Sequence, residues 1–194
     1  MSDRDLNDPP DSELVVRAQQ GDRAAFGELY TRYLTPIYRY LRSRLSDPRD
    51  AEDLTESAFL KAFQALPRYR ERGWPFSAYL YQVARNALAD HFRRQRPELD
   101  LDRALSAPAP EPSPAEYVEH GELMVELAAA LRSLPDDYQE VIRLRLLLGL
   151  PTTTAAQWMR RSEGATRVLL FRALRALRKG MSEQYDEERE PGPA

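Results

Sequence analysis

Asp50-Ala51-Glu52-Asp53-Leu54-Thr55-Glu56-Ser57-Ala58-Phe59-Leu60-Lys61-Ala62-Phe63 reads as one amphipathic helix. Leu54, Ala58, Phe59 and Ala62 recur at helical spacing and form an apolar seam, while Glu52, Asp53 and Glu56 share another face. The acids crowd the first turns, where the positive end of the helix dipole stabilises them by about 0.3–1 kcal/mol each. The same pattern also suits a helix that offers a charged face to a partner. What lies around it decides between an ordinary surface helix and a docking helix.

Downstream, Arg68-Tyr69-Arg70-Glu71-Arg72-Gly73-Trp74 interleaves cations with aromatics, and a basic helix is expected from about Pro75 to Arg94. Arg68, Arg70, Arg72, Arg85, Arg93, Arg94 and Arg96 are opposed there only by Glu71 and Asp90. A second basic block runs from Arg143 to Lys179, and the segment from Glu98 to Glu126 between them is acidic. The net charge of −3 therefore hides two cationic regions. Phosphate attraction is local and screened over about 10 Å, so this distribution favours a nucleic-acid partner despite the sum.

Composition narrows the remaining classes. There are no cysteines among the 194 residues, which removes disulfides and thiolate metal sites. His91 and His120 are too few for a metal cluster, and neither a metal nor another cofactor is expected. No glycine-rich phosphate loop, His-Glu metal motif or serine elbow stands out, so a catalytic function is not expected. No apolar run reaches transmembrane length, and the N-terminus lacks the basic start and apolar stretch of a secretion signal. A soluble cytoplasmic protein is the expectation.

The fold class expected is all-α, with two small helical domains joined by a flexible, proline-rich acidic linker. Residues 1–10 are read as a disordered N-terminus, 11–96 as the first domain, 97–115 as the linker, 116–180 as the second domain and 181–194 as an acidic disordered tail. Asp11 or Ser12 is the expected N-cap of the first helix, Gly21-Asp22 a break, and Pro36 a kink or a split in the helix from Arg23 to about Leu45. Prolines 97, 108, 110, 112 and 114 mark the linker. Pro135 opens a helix that Gly149 ends as a C-cap, and helices over 152–160 and 162–179 complete the second unit.

In this order the segments resemble the extracytoplasmic-function (ECF) sigma factors of the sigma-70 family, which lend promoter specificity to bacterial RNA polymerase. The resemblance rests on Asp11 to Gln20 with Gly21-Asp22-Arg23-Ala24-Ala25-Phe26, on Asp50-Ala51-Glu52-Asp53-Leu54 with Phe59 to Phe63, and on Phe76-Ser77-Ala78-Tyr79-Leu80, Ala84-Arg85-Asn86, Asp90 and Arg93-Arg94. It continues in Leu134-Pro135, Gly149-Leu150, Ser162-Glu163-Gly164-Ala165, Arg172-Ala173 and Leu177-Arg178. It implies that Glu52, Asp53 and Glu56 bind core polymerase, with Asp53 the foremost contact. It also implies that Tyr69, Arg70, Arg72 and Trp74 capture melted bases of the −10 element, with Arg85, Asn86, Arg93 and Arg94 along the DNA. Stacking of a base on an aromatic ring contributes about 1–3 kcal/mol. The partners implied are core RNA polymerase, promoter DNA and an anti-sigma factor.

The second domain resembles the family's helix-turn-helix, whose recognition helix would begin near Ser162 and read the −35 element. Arg160, Arg161, Ser162, Glu163, Arg167, Val168, Phe171, Arg172 and Arg175 are its DNA-side candidates; Arg167 suits a base edge and the other arginines suit phosphates. Ala165 or Thr166, then Leu170, Ala173 and Leu177, fall on the core side. Three departures stand out. Thr154-Ala155-Ala156 replaces the usual Glu-Ile-Ala, and Arg160 occupies the usual glycine of the turn, where a left-handed conformation costs roughly 1–2 kcal/mol. Val168 and Leu169 replace polar residues. They are compatible with thymine methyl contacts, a weak −35 readout, a covering partner, or packing on the helix at 152–158. A stand-alone helix-turn-helix regulator with an N-terminal interaction module is the alternative to a sigma factor.

Overall fold

The computed structural model describes residues 8–45, 47–71, 73–95, 127 and 129–189. The expected linker over 97–115, Arg72, Arg96 and most of the helix expected over 115–134 lie outside these residues. Among the described residues every regular element is helical.

Helix α1 spans Asp11–Gln19 and α2 spans Arg23–Arg42. The cap of α1 differs from expectation. Pro10 holds the cap position, and its carbonyl accepts from the Glu13 and Leu14 amides at 3.0 and 3.1 Å. Asp11 is helical; its carboxylate turns to Arg32 at 3.0 Å and to the Tyr33 hydroxyl, so it has left the local amides. Asp22 caps α2, accepting from the Ala24 and Ala25 amides at 2.9 and 3.1 Å. Pro36 does not split α2. Proline removes one amide donor from the ladder, but Leu29, Tyr33, Ile37, Tyr40 and Leu41 are buried on either side of it, and that packing carries the helix through.

Helix α3, Pro48–Ala65, is the helix read from residues 50–63, started by the Asp47 cap and Pro48. Its seam is buried as the pattern demands: Leu54, Ala58, Phe59 and Ala62 are all inside, joined by Ala51 and Thr55. A 3-10 turn at Leu66–Arg68 leads through a loop to α4, Phe76–Gln95. Pro75 stands just before α4, accepting from the Ala78 and Tyr79 amides at 3.0 and 3.3 Å, so it caps the helix that it was expected to begin. Phe76, Leu80, Ala84 and Leu88 from α4 close the core against α2 and α3. Aromatic rings interlock there edge to face, Tyr40 and Tyr81 at 4.9 Å among them.

The second unit begins with helical residues 129–132. Gln139 caps that stretch by donating to the Arg132 and Leu134 carbonyls at 3.1 and 2.8 Å. Helix α5, Asp136–Ile142, widens into a π-helical turn at Arg143–Leu147. Gly149 then ends it at φ +64°, as a left-handed C-cap requires. Helix α6 spans Thr152–Trp158 and α7 spans Glu163–Arg189. The helix expected to stop near Lys179 therefore continues ten residues further. Residues 181–189 hold three Glu and neither proline nor glycine, so nothing in their own sequence breaks the helix.

A small core of Leu131, Val141, Ile142 and Ala173 holds α7 to α5. Leu144, Leu148, Leu150 and Ala155 instead belong to the continuous core of the N-terminal helices. The two units are packed on one another.

Candidate functional site

Three surfaces gather the predicted site residues. The first is the outer face of α3. Glu52, Asp53 and Glu56 are all exposed, and none makes an ion pair or side-chain hydrogen bond among the described residues. The buried seam opposite holds the helix while this face stays open. One turn on, Leu60 and Phe63 are 57% and 43% exposed. Phe63 rests on Phe26 at 4.8 Å, and the half-exposed Tyr30 on Phe59 at 4.7 Å. Residues 53, 56, 60 and 63 thus form one stripe, acidic at its start and apolar at its end. The seam analysis missed this apolar half, although the 3–4 spacing from Asp53 was there to find it.

The second surface is the loop between α3 and α4 with the start of α4. Tyr69 is a scaffold of this loop. Its ring packs at 4.6 Å on Tyr79 and 5.8 Å on Phe76, and its hydroxyl donates to the Trp74 carbonyl at 3.4 Å. Burial pushes its phenol up to about 12. Gln19, which the sequence reading did not select, ties the loop to α1 by donating to the Leu66 and Tyr69 carbonyls at 2.9 and 2.8 Å. Gly73 turns the chain at φ +76° and brings Trp74 back toward α4. Arg70 and Asn86 are exposed; Arg85 and Trp74 are half-buried.

Arg93 and Arg94 lie exposed in the last turn of α4, but Asp90 engages both, the first through its carboxylate and the second through its carbonyl at 3.3 Å. Arg85 lies over the Trp158 ring, 5.8 Å from its centroid, and the Trp74 ring meets Trp158 edge-on at 6.0 Å. Trp158 comes from the second unit, and nothing in the local pattern of either segment announces this meeting.

The third surface is α7 with the turn before it. Arg160 does adopt the left-handed conformation, at φ +53°. The Arg161 amide bonds back to the Ala156 carbonyl at 2.9 Å, closing the turn. Ser162 is a helix cap, its hydroxyl accepting from the Ala165 amide at 3.2 Å. Arg161 pairs with Asp137, and Arg167 with Glu163 at 3.2 Å, so two of the expected phosphate or base contacts begin in ion pairs. Both are exposed pairs and cost little to break.

The predicted two-sidedness of α7 is met. Of the two candidates Ala165 and Thr166, Thr166 is the core residue and Ala165 is exposed; Thr166 and Ala173 are fully buried, with Leu170 and Leu177 packed beside them. Glu163, Arg167, Val168, Phe171, Arg172 and Arg175 all face outward. Leu169 packs in the small core, whereas Val168 and Phe171 are 50% and 69% exposed, so packing on α6 does not account for Val168. No group of metal-ligating side chains occurs among the described residues, and no helix there is long and apolar enough to cross a membrane.

Residues 29–98 match the family Sigma-70 region 2, and residues 124–177 match Sigma-70, region 4. The ECF RNA polymerase sigma factor BldN of Streptomyces coelicolor is 40% identical over 167 residues, covering 85% of this chain and 63% of BldN. The chain thus spans somewhat under two thirds of that relative. The ECF RNA polymerase sigma factor SigD of Mycobacterium tuberculosis is 32% identical over 174 residues, covering 85% of this chain and 81% of SigD. Among solved structures, CnrH in complex with the cytosolic domain of CnrY superposes with a TM-score of 0.60 at 26% identity, covering 91% of this chain and 97% of that one.

Proposed function

The chain belongs to the ECF sigma factors of the sigma-70 family, and we propose that it directs core RNA polymerase to specific promoters and helps to open them. The observation that carries this reading is the open stripe on α3, where Glu52, Asp53 and Glu56 run into Leu60 and Phe63 on a helix inside the region 2 match. A buried seam with a free, mixed outer face is what a docking helix needs. Trp74, Arg70, Arg85 and Asn86 then supply the ring and the donors for melted −10 bases, with Tyr69 and Gln19 shaping their loop. Helix α7 presents Arg167, Val168, Phe171, Arg172 and Arg175 to the −35 duplex. Val168 and Phe171 suit apolar contact with thymine methyls, and the arginines suit phosphates.

In this role the protein performs no chemistry of its own; polymerase does. Its place is the cytoplasm, at the nucleoid when polymerase holds it. CnrH, solved with the cytosolic domain of CnrY, supports an anti-sigma factor as the further partner. The test is to mix the purified chain with sigma-free core polymerase and sequence transcripts made on genomic DNA. Co-migration with focused start sites is expected. Clean DNA binding without any polymerase complex would overturn the reading in favour of a stand-alone regulator.

A further inference from the structure

The first turns of α7 carry a line of residues that the packing of the chain does not use. Gly164, Val168, Phe171 and Arg175 follow one another at helical spacing, opposite the buried Thr166 and Ala173, and all four are exposed. Gly164 has no positive φ, and a Cβ added there would meet nothing within 4 Å. Neither backbone conformation nor packing therefore calls for glycine, which is the poorest helix former after proline. Arg167 and Arg172 flank the line on its two sides, both exposed. A short apolar edge between two cations fits a ligand that is apolar in the middle and anionic at both rims. The major groove of DNA at a pyrimidine methyl is such a ligand.

We propose that Val168 is a specificity-determining residue that contacts the 5-methyl group of one pyrimidine in the −35 duplex, with Gly164 letting the backbone of α7 come close enough for so short a side chain to reach. The proposal rests on the sigma reading for the name of the DNA element, and on the geometry of α7 for the contact. A helix about 10–12 Å across fills a major groove about 12 Å wide. Valine extends only one carbon beyond its Cβ, so it meets a base edge only where the helix is pressed into the groove. One turn earlier on the same line, the bare Gly164 removes the side chain that would hold the helix off. Phe171, next on the line, adds apolar area beside the contact.

The chemistry of valine narrows what is read. Its χ1 is nearly fixed in a helix, so its two methyl groups are presented with little entropy left to lose. A hydroxyl or amide at this position would choose among base edges by hydrogen bonding; valine neither donates nor accepts, and it responds to the methyl alone. Thymine and 5-methylcytosine carry that group on the same ring atom, whereas uracil and cytosine lack it. The contact thus makes −35 recognition sensitive to cytosine methylation as well as to sequence.

The test uses the full chain bound to core polymerase and a promoter taken from its mapped start sites. Each thymine of the −35 element, on either strand, is replaced in turn by deoxyuridine, which keeps base pairing and removes one methyl. Affinity should fall about fourfold at one position, the loss expected for one buried methyl, and change little at the others. At that position a cytosine should bind about fourfold better when it is 5-methylated. Val168→Ser should bind the thymine and deoxyuridine duplexes equally, with helical content unchanged. Gly164→Ala should keep the fold, since its Cβ has open space, and weaken −35 binding about tenfold. No sensitive position, or a sensitivity that Val168→Ser retains, overturns the contact; a retained sensitivity means that the methyl acts through DNA stiffness. Wild-type binding by both variants also overturns it and assigns the line to a protein partner. Failure to form a polymerase complex sinks the sigma reading, and the same scan on duplexes selected by the chain alone then decides the methyl contact.

Discussion

The N-terminal and C-terminal units are both helical, yet they are built to different tolerances. The first closes a large core from four helices, with Leu29, Leu41, Leu80 and Leu88 wholly inside and aromatic rings interlocked across it. Among the described residues, the second has a core of four buried residues, a π-helical turn, a non-glycine residue at positive φ and three exposed large apolar side chains on α7. Part of what it buries is buried against the first unit. Autonomous stability thus resides in the N-terminal unit, which we propose docks and melts, while the C-terminal unit, which we propose reads duplex DNA, is held more lightly.

The largest test of that contrast is a pair of truncations. Leu29→Ala, at the centre of the first core, should cost about 2–5 kcal/mol and lower the main unfolding transition. Leu144→Ala, in the shared core, should cost less in that transition and separate a second, earlier one in calorimetry. Equal losses in one unsplit transition would break the comparison.

Next in size, Asp53→Arg should weaken binding to core polymerase at least about tenfold, or about 1.4 kcal/mol, with circular dichroism unchanged. It acts on the sturdy unit without touching its core, so binding should fall while stability does not. Arg160→Gly should stabilise the second unit by about 1 kcal/mol, because glycine relieves the left-handed backbone and no buried contact is lost. No gain on chemical denaturation would mean that the turn already accommodates arginine at no cost.

The smallest effect concerns a cap of the first unit. Arg17 and the Ala25 and Ala24 amides hold the Asp22 carboxyl below its ordinary value of 3.8. A depressed carboxyl contributes stability above its unfolded pKa and loses it as pH falls through the folded one. The advantage of wild type over Asp22→Asn in melting temperature should therefore shrink between about pH 5 and about pH 3. A constant difference would show that the side chain caps α2 through its shape alone.

What could be read from sequence follows from how local the determinants are. The seam of α3, the Asp22 cap, the Gly149 stop and the two faces of α7 all depend on residues within a few turns, and each appears as expected. The anomaly at Arg160 was visible because a turn demands one backbone conformation whatever surrounds it. The cap at Pro10, the absence of a split at Pro36 and the extension to Arg189 differ from the sequence expectation. In the first two, packing or a distant partner outweighed a local signal; in the third, helix propensity outweighed acidic composition. Gln19 and the meeting of Trp158 with Arg85 left no local mark. Their partners lie 47 to 73 residues away in the chain, and only folding brings them together.

Residues 74 and 158 are the only tryptophans of the chain, and they stand edge to face at 6.0 Å across the boundary between the units. Two indoles that close couple their excited states. The near-ultraviolet circular dichroism of the unlabelled protein should therefore carry a band that neither ring produces alone. Any change that parts the two rings should abolish that band, so the protein carries its own optical gauge of this boundary, readable without dye or tag in the time of a stopped-flow mixing experiment.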